Sequence, residues 1–194
     1  MTMARQPLIV GIGGTPRAGS STEMALRTCM GFAESLGART EAFTGDALVL
    51  PLYGVGAERS PEADRLVGAL RACDGVILAS PAYHGTVSGL LKNALDYVED
   101  LARDETPYLD GRAIGCIACA YGWQAAGTTL VALRSIAHAL RGWPTPMGAG
   151  INATETKFDG SGGATSPAVL NQLRIVAEQV VSFAGWRLAG RTLQ

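Results

Sequence analysis

Between Ile9 and Glu23 an apolar run, Ile9-Val10-Gly11-Ile12, gives way to Gly13-Gly14-Thr15-Pro16-Arg17-Ala18-Gly19-Ser20-Ser21-Thr22-Glu23, a loop of glycines, hydroxyls and one cation that leads into a helix. Those residue types in that order suit a bound anion. Amides at a helix start have no intrahelical acceptor, and the helix dipole adds partial positive charge there, so a phosphate gains several charge-assisted hydrogen bonds. Arg17 supplies a full countercharge. Thr15, Ser20, Ser21 and Thr22 supply neutral donors. The same residues have a purely local use, because Ser20 and Glu23 stand at the spacing of a capping box and Arg17 is equally compatible with an exposed loop.

What the loop lacks narrows the ligand. Gly14-x-x-x-x-Gly19 has the spacing of a nucleotide-triphosphate loop, but Ser20-Ser21 stands where that motif carries Lys followed by Ser or Thr. The dinucleotide fingerprint fails as well, with Pro16 where its third glycine packs helix against strand. A monophosphate suits the loop better than a triphosphate or pyrophosphate.

A second loop, Ser80-Pro81-Ala82-Tyr83-His84-Gly85-Thr86, combines a rigidifying proline, a glycine that admits close backbone approach and two rings. Its backbone groups are suited to reading the polar edge of a planar heteroaromatic ligand, with Tyr83 as a packing surface. His84 has two readings, a proton donor or hydrogen-bond partner for that ligand or a turn residue with its ring at the rim. His138, near a helix end, is favoured there by the dipole without any catalytic duty and is assigned no role.

The elements that must hold these loops are five apolar runs alternating with helical patterns: Pro7 to Gly13, Arg39 to Phe43, Gly75 to Ser80, Ala113 to Ala120 and about Thr145 to Ile151. Such alternation signals a parallel sheet covered by helices. Helical periodicity runs from Thr22 to Leu36, from Pro61 behind its Ser60 cap, from Ser88 to Ala102, from Thr128 to Leu140, and from Pro167 onward. The expected architecture is an α/β three-layer sandwich of flavodoxin-like type, one domain over residues 1–194, with strand order 2-1-3-4-5. In that order ligands sit beyond the carboxyl ends of the strands, between the first and third. Three loops therefore form the candidate site: Gly13 to Thr22, Ser80 to Ser88 and Cys119 to Gly127. The polar tract from Asn152 to Ser166 reads as a lid or a plain surface excursion.

Composition sets outer limits. A chain of 194 residues with 47% hydrophobic and 17% charged residues suits one compact domain that needs no covalent staple. A net charge of -1 offers no footprint for nucleic acid or an anionic membrane. Neither a signal-peptide pattern nor a run of spanning length is seen, and the expected location is cytoplasmic. The four cysteines sit in apolar segments, as in a reducing compartment. Cys116-x-x-Cys119 falls in a strand, where residues three apart face opposite ways and lie beyond disulfide reach, and the remaining Cys and His residues do not complete a metal site.

Thr15-x-Arg17-x-x-Ser20-x-Thr22, followed by Ser80-Pro-Ala-Tyr-His-Gly-Thr86 and Gly89-Leu-Leu-Lys-Asn-Ala-Leu-Asp96, resembles the NADPH-dependent FMN reductase family from about Leu8 to Ile151. The resemblance implies that Thr15, Arg17, Ser20, Ser21 and Thr22 hold the FMN phosphate. It implies that Pro81, Ala82, Tyr83, His84, Gly85 and Thr86 line the isoalloxazine, and that Ala120, Tyr121, Gly122 and Trp123 flank its far side. No residue is assigned an acid, base or nucleophile role, since the cofactor carries the chemistry, hydride passing from NADPH or NADH to flavin N5. The acceptor is then free FMN destined for a flavin-dependent monooxygenase, or a quinone, azo compound or metal ion. A non-catalytic electron carrier or flavin sensor is the alternative. The chain departs from the family at Ala118-Cys119-Ala120-Tyr121-Gly122-Trp123-Gln124, where a small hydroxyl and a Gly-Gly pair are usual. Trp123 either stacks over the flavin or packs at a subunit boundary. Lys92 and Asp96 stand one helical turn apart, and family equivalents near the subunit interface imply a homodimer or homotetramer.

Overall fold

Three strands of the computed structural model, which describes residues 5–56 and 58–191, are buried along their whole length: β1 (Leu8–Gly13), β3 (Gly75–Pro81) and β4 (Ala113–Ala120). Strands apolar on both faces require helices on both faces, and that is what covers them. β2 (Arg39–Phe43) and β5 (Trp143–Asn152) form the two edges of a sheet ordered β2-β1-β3-β4-β5, with every pairing parallel. One face packs on α1 (Ser21–Ser35) and α5 (Pro167–Arg191), the other on α2 (Pro61–Ala72), α3 (Gly89–Asp96) and α4 (Trp123–Ala139). Cys116 belongs to one apolar core and Cys119 to the other, so the two thiols lie on opposite faces of the sheet. No helix is long and apolar enough to cross a membrane among the described residues.

Helix starts follow the expected chemistry. Ser20, Ser60, Ser88 and Ser166 each accept a hydrogen bond from the amide three residues on, and Pro61 follows Ser60 directly.

Beyond one-residue shifts at the start of β1 and at both ends of α1, four boundaries differ from the sequence expectation. α4 begins at Trp123 rather than Thr128, so Trp123 to Gly127 are helix and not loop. Gly127 reads as a breaker, yet Ala126 and Thr129 bury themselves against the sheet, and that packing outweighs the glycine's propensity. β5 begins at Trp143, since Pro144 and Pro146 are tolerated on an edge strand, where a register irregularity falls opposite Ile114 and Cys116. The third helix is regular only to Asp96 and continues as a 3-10 turn over Tyr97–Leu101. Pro81 remains in its strand, paired with Cys119.

Candidate functional site

The first loop is drawn onto the start of α3 by a contact that only glycine permits. The Gly14 amide donates to the Ala79 carbonyl of β3 at 2.8 Å, and its carbonyl accepts from Ser88 Oγ at 2.9 Å. A Cβ at Gly14 would stand 2.6 Å from Ser88 Oγ. The loops after β1 and β3 therefore share one wall.

Within the first loop, the Thr15 hydroxyl accepts from the Arg17 amide at 3.1 Å and lies 3.2 Å from Ser20 Oγ, which in turn accepts from the Glu23 amide at 3.3 Å. Glu23 takes a variant of the capping box. Its Oε2 accepts from the Gly19 amide at 2.9 Å, while Oε1 accepts from Arg27 Nε at 2.8 Å and from the Thr44 hydroxyl. Burial pushes the Glu23 carboxyl up, but its hydrogen bonds to Arg27, Gly19 and Thr44, with the charge of Arg27, outweigh that and hold it below the usual range. Local capping and a cleft-lining position thus coexist in Ser20. Thr15, Ser20 and Thr22 are 5%, 5% and 3% exposed. Arg17 is exposed and forms no ion pair with any described residue.

The second loop leaves β3 with the Ala82 amide donating to the Cys119 carbonyl at 2.8 Å. Tyr83 to Thr86 then close a tight turn, in which the Thr86 amide donates to the Tyr83 carbonyl at 3.2 Å. His84 and Gly85 carry φ of 50° and 91°, the double left-handed pattern of a two-residue hairpin turn. Gly85 is thus required by its own backbone, and His84 stands exposed at the hairpin tip. Ser80 ties the root of this loop to α3, accepting from the Ser88 amide at 2.9 Å.

These loops enclose an open cleft of about 320 Å³ lined by Thr15, Pro16, Arg17, Ser20, Ser21, Thr22, Pro81, Ala82, Tyr83, Cys119, Ala120, Tyr121 and Ala153. His84, Gly85, Thr86, Gly122 and Trp123 lie further along the same segments and do not line it. Pro16, Cys119 and Ala153 are lining residues that lie in segments the sequence pointed to but were not singled out as cofactor-binding. The first two adjoin residues it named, and a small apolar Ala153 carries no chemical signal. The Cys119 thiol is pushed up to about 12 by burial, against the opposing effect of a hydrogen bond from Thr22, so at neutral pH it is an uncharged floor for the cleft. Trp123 is 55% exposed, and its indole Nε1 donates to Glu155 Oε1 at 3.1 Å. The tract after β5 packs Phe158 against the α1 and α5 core and closes on itself through Asp159, whose Oδ1 accepts from the Ser161 and Gly163 amides. Only Ala153 of that tract reaches the cleft. No group of three or more His, Cys, Asp or Glu side chains suited to a metal ion occurs among the described residues.

Residues 7–155 match the family model described as NADPH-dependent FMN reductase. The chain belongs to that family. Among curated proteins it is 37% identical over 94 residues to an NADPH azoreductase of Bacillus sp. (strain OY1-2), a match covering 46% of this chain and 49% of that one. It is 32% identical over 92 residues to an NAD(P)H-dependent FMN reductase of Pseudomonas aeruginosa, covering 46% and 48%. The matched segment thus spans about half the length of these relatives. A flavoenzyme NAD(P)H:(acceptor) oxidoreductase from Paracoccus denitrificans superposes with a TM-score of 0.74 over 92% of this chain and 97% of that one, at 18% identity. At that identity the likeness establishes the shared fold.

Proposed function

We propose that the chain is an NAD(P)H-dependent FMN reductase whose cofactor site is the cleft between the loops after β1, β3 and β4. The observation that carries this reading is the company of Arg17. An arginine with no ionic partner among the described residues lines one cleft together with three buried hydroxyls around the start of α1 and the Pro81 to Tyr83 segment.

The residues present fit FMN. Ser21 and Thr22 occupy the first turn of α1, where amides have no intrahelical acceptor, and the helix dipole favours an anion there. Thr15, Ser20 and Thr22 can each rotate a hydroxyl towards a phosphate oxygen, while Arg17 neutralises its charge. Glu23 already consumes the Gly19 amide, and Arg27 compensates the charge of that carboxylate, so the loop is shaped before any ligand arrives. Pro81, Ala82 and Tyr83 offer a flat, rigid surface for the ring system, and Ala120, Tyr121 and Ala153 form the opposite wall. When bound, FMN supplies the redox chemistry, taking hydride from NADPH or NADH and passing reducing equivalents to an acceptor. The protein binds, orients and screens, and no side chain is asked to transfer a proton.

Tyr83 at 54% and Tyr121 at 80% exposure rim the cleft, which favours planar partners stacking in turn. The acceptor we infer is free flavin destined for a monooxygenase; the second reading is an azo compound, as the name of the Bacillus relative suggests, or a quinone or metal ion. A homodimer or homotetramer in the cytoplasm completes the proposal. What supports the oligomer is the exposed apolar residues Val49, Leu52 and Val55, in the segment that Asn93 of α3 holds by hydrogen bonds to Leu50, Pro51 and Tyr53.

The deciding experiment is anaerobic absorbance of the protein reconstituted with FMN, before and after NADPH and then NADH. Rapid bleaching of the oxidised flavin band is expected. Bound flavin that neither nucleotide bleaches would point to a carrier or sensor, and failure to bind FMN would overturn the reading.

A further inference from the structure

The segments after β4 and β5 each send one residue into the cleft wall, Tyr121 and Ala153, and each places a polar-tipped side chain two positions later, Trp123 and Glu155. These two meet. Trp123 Nε1 donates to Glu155 Oε1 at 3.1 Å, and the same oxygen accepts from Asn152 Nδ2 at 2.5 Å. Asn152 is a firm anchor. It is 4% exposed, it is the last β5 residue in register with Ala120, and its Oδ1 accepts from the Thr154 amide at 3.1 Å and the Thr154 hydroxyl at 2.8 Å. The adjacent Ala153 amide donates to the Ala120 carbonyl at 2.7 Å. The backbone ladder between the two strands thus ends in a side-chain bridge that ties the first residue of α4 to the turn after β5.

Among the described residues this is the one hydrogen bond that the indole makes. Gly122, which caps α4, has no side chain to hold the helix start, and the ring is half open to solvent. A tryptophan freed of the bridge would present its planar apolar face two residues from the cleft wall, beside the mouth by which a second planar substrate would enter.

We propose that Glu155 is a positioning residue that holds the Trp123 indole back from the cleft mouth, and that this bridge sets the affinity for the planar substrate that stacks on the bound flavin. The proposal rests on the cleft being the flavin site. Glu155 acts as a hydrogen-bond acceptor, so Glu155→Gln, which keeps an acceptor oxygen, preserves the bridge, whereas Glu155→Ala breaks it. Trp123→Phe keeps a planar aromatic ring, smaller than the indole, and removes the donor, and breaks the bridge from the other side.

Two measurements test this. The first needs no cofactor: tryptophan fluorescence anisotropy of the apoprotein in a W143F/W186F background, which leaves Trp123 as the sole reporter. Trp143 and Trp186 lie at the start of β5 and near the end of α5, away from the cleft. Glu155→Ala should lower the anisotropy and Glu155→Gln should not. The second is steady-state kinetics with FMN bound. Glu155→Ala and Trp123→Phe should raise the KM for the nicotinamide about fivefold, the equivalent of one net hydrogen bond, with kcat changed less than about twofold. Unchanged anisotropy and KM in Glu155→Ala, or a Glu155→Gln variant behaving like Glu155→Ala, would overturn the bridge. Should Glu155→Ala fail to fold, the KM of Trp123→Phe decides instead, a rise supporting the bridge and an unchanged value overturning it. Loss of FMN binding by the unmutated protein would overturn the site assignment, and the anisotropy result would still decide whether the bridge exists.

Discussion

Replacing Arg17 by Ala should weaken FMN binding while leaving riboflavin binding untouched. The substitution is clean because what Arg17 gives the loop comes from its backbone: its amide donates to the Thr15 hydroxyl at 3.1 Å and its carbonyl accepts from the Ser20 amide at 3.3 Å. Alanine keeps both. The guanidinium forms no ion pair with a described residue, so its loss strands no partner. Hydrogen bonds to a charged group contribute about 1.5–3 kcal/mol net, and an exposed side chain belongs at the lower end of that range. About 1.5–2 kcal/mol corresponds to a roughly 10- to 30-fold rise in the Kd for FMN. Arg17→Lys should recover part of it, as a point charge without the guanidinium fork. The assay is quenching of flavin fluorescence on titration with apoprotein, run in parallel with FMN and with riboflavin, which shares the ring but lacks the phosphate. Unchanged FMN affinity would remove Arg17 from the phosphate site. Equal weakening of both flavins would refute the reasoning more deeply, since Arg17 would then shape the loop rather than meet the phosphate.

Three further outcomes are expected. Glu23→Gln should lower thermal stability by about 1 kcal/mol at pH 7, a typical capping contribution. Because the folded carboxyl lies below its ordinary value, that contribution is present at neutral pH and is lost as pH falls through the folded pKa, so the gap between the two proteins' melts should close as the pH drops below the ordinary carboxylate range; a constant gap would count against it. Gly14→Ala forces a methyl to within 2.6 Å of Ser88 Oγ and 3.0 Å of Leu91 Cβ, and should cost about 1–3 kcal/mol in urea unfolding, with an unchanged midpoint contradicting the close approach. Cys73, Cys116 and Cys119 are buried, with thiols pushed up to about 11, 12 and 12, and Cys29 is raised also. Iodoacetamide at pH 8 should therefore label none of them in the folded protein over a period that fully labels it in urea, as read by intact mass; fast labelling would show a thiol to be accessible.

The strands were the most legible part of the chain. Arg39 to Phe43 and Ala113 to Ala120 match their observed bounds, the second because a short apolar run between turn residues has few other uses in a chain of this length, the first because Gly37 ends the helix before it even though Arg39, Thr40 and Glu41 make it a mostly polar edge strand. The first-loop chemistry was legible too, since hydroxyls, glycines and one arginine announce themselves by type. Boundaries set by packing were not. The start of α4 hid behind Gly127, because local propensity penalises a glycine that the sheet contact of Ala126 and Thr129 overrides. Ala153 was invisible for the opposite reason: a methyl group in a cleft wall has no signature until the fold brings it there.

By itself the sequence determined the order of strands and helices and the chemical character of the loops, because periodicity and side-chain type are properties of consecutive residues. Only the tertiary structure decided which of those residues meet. Gly14 and Ser88, which share one wall, are 74 positions apart, and Trp123 and Glu155, which form the bridge to Asn152, are 32 apart. That Arg17 has no ionic partner among the described residues likewise depends on what the fold leaves around it. Such contacts are fixed by the register and crossing of distant elements, which no local pattern in a chain records.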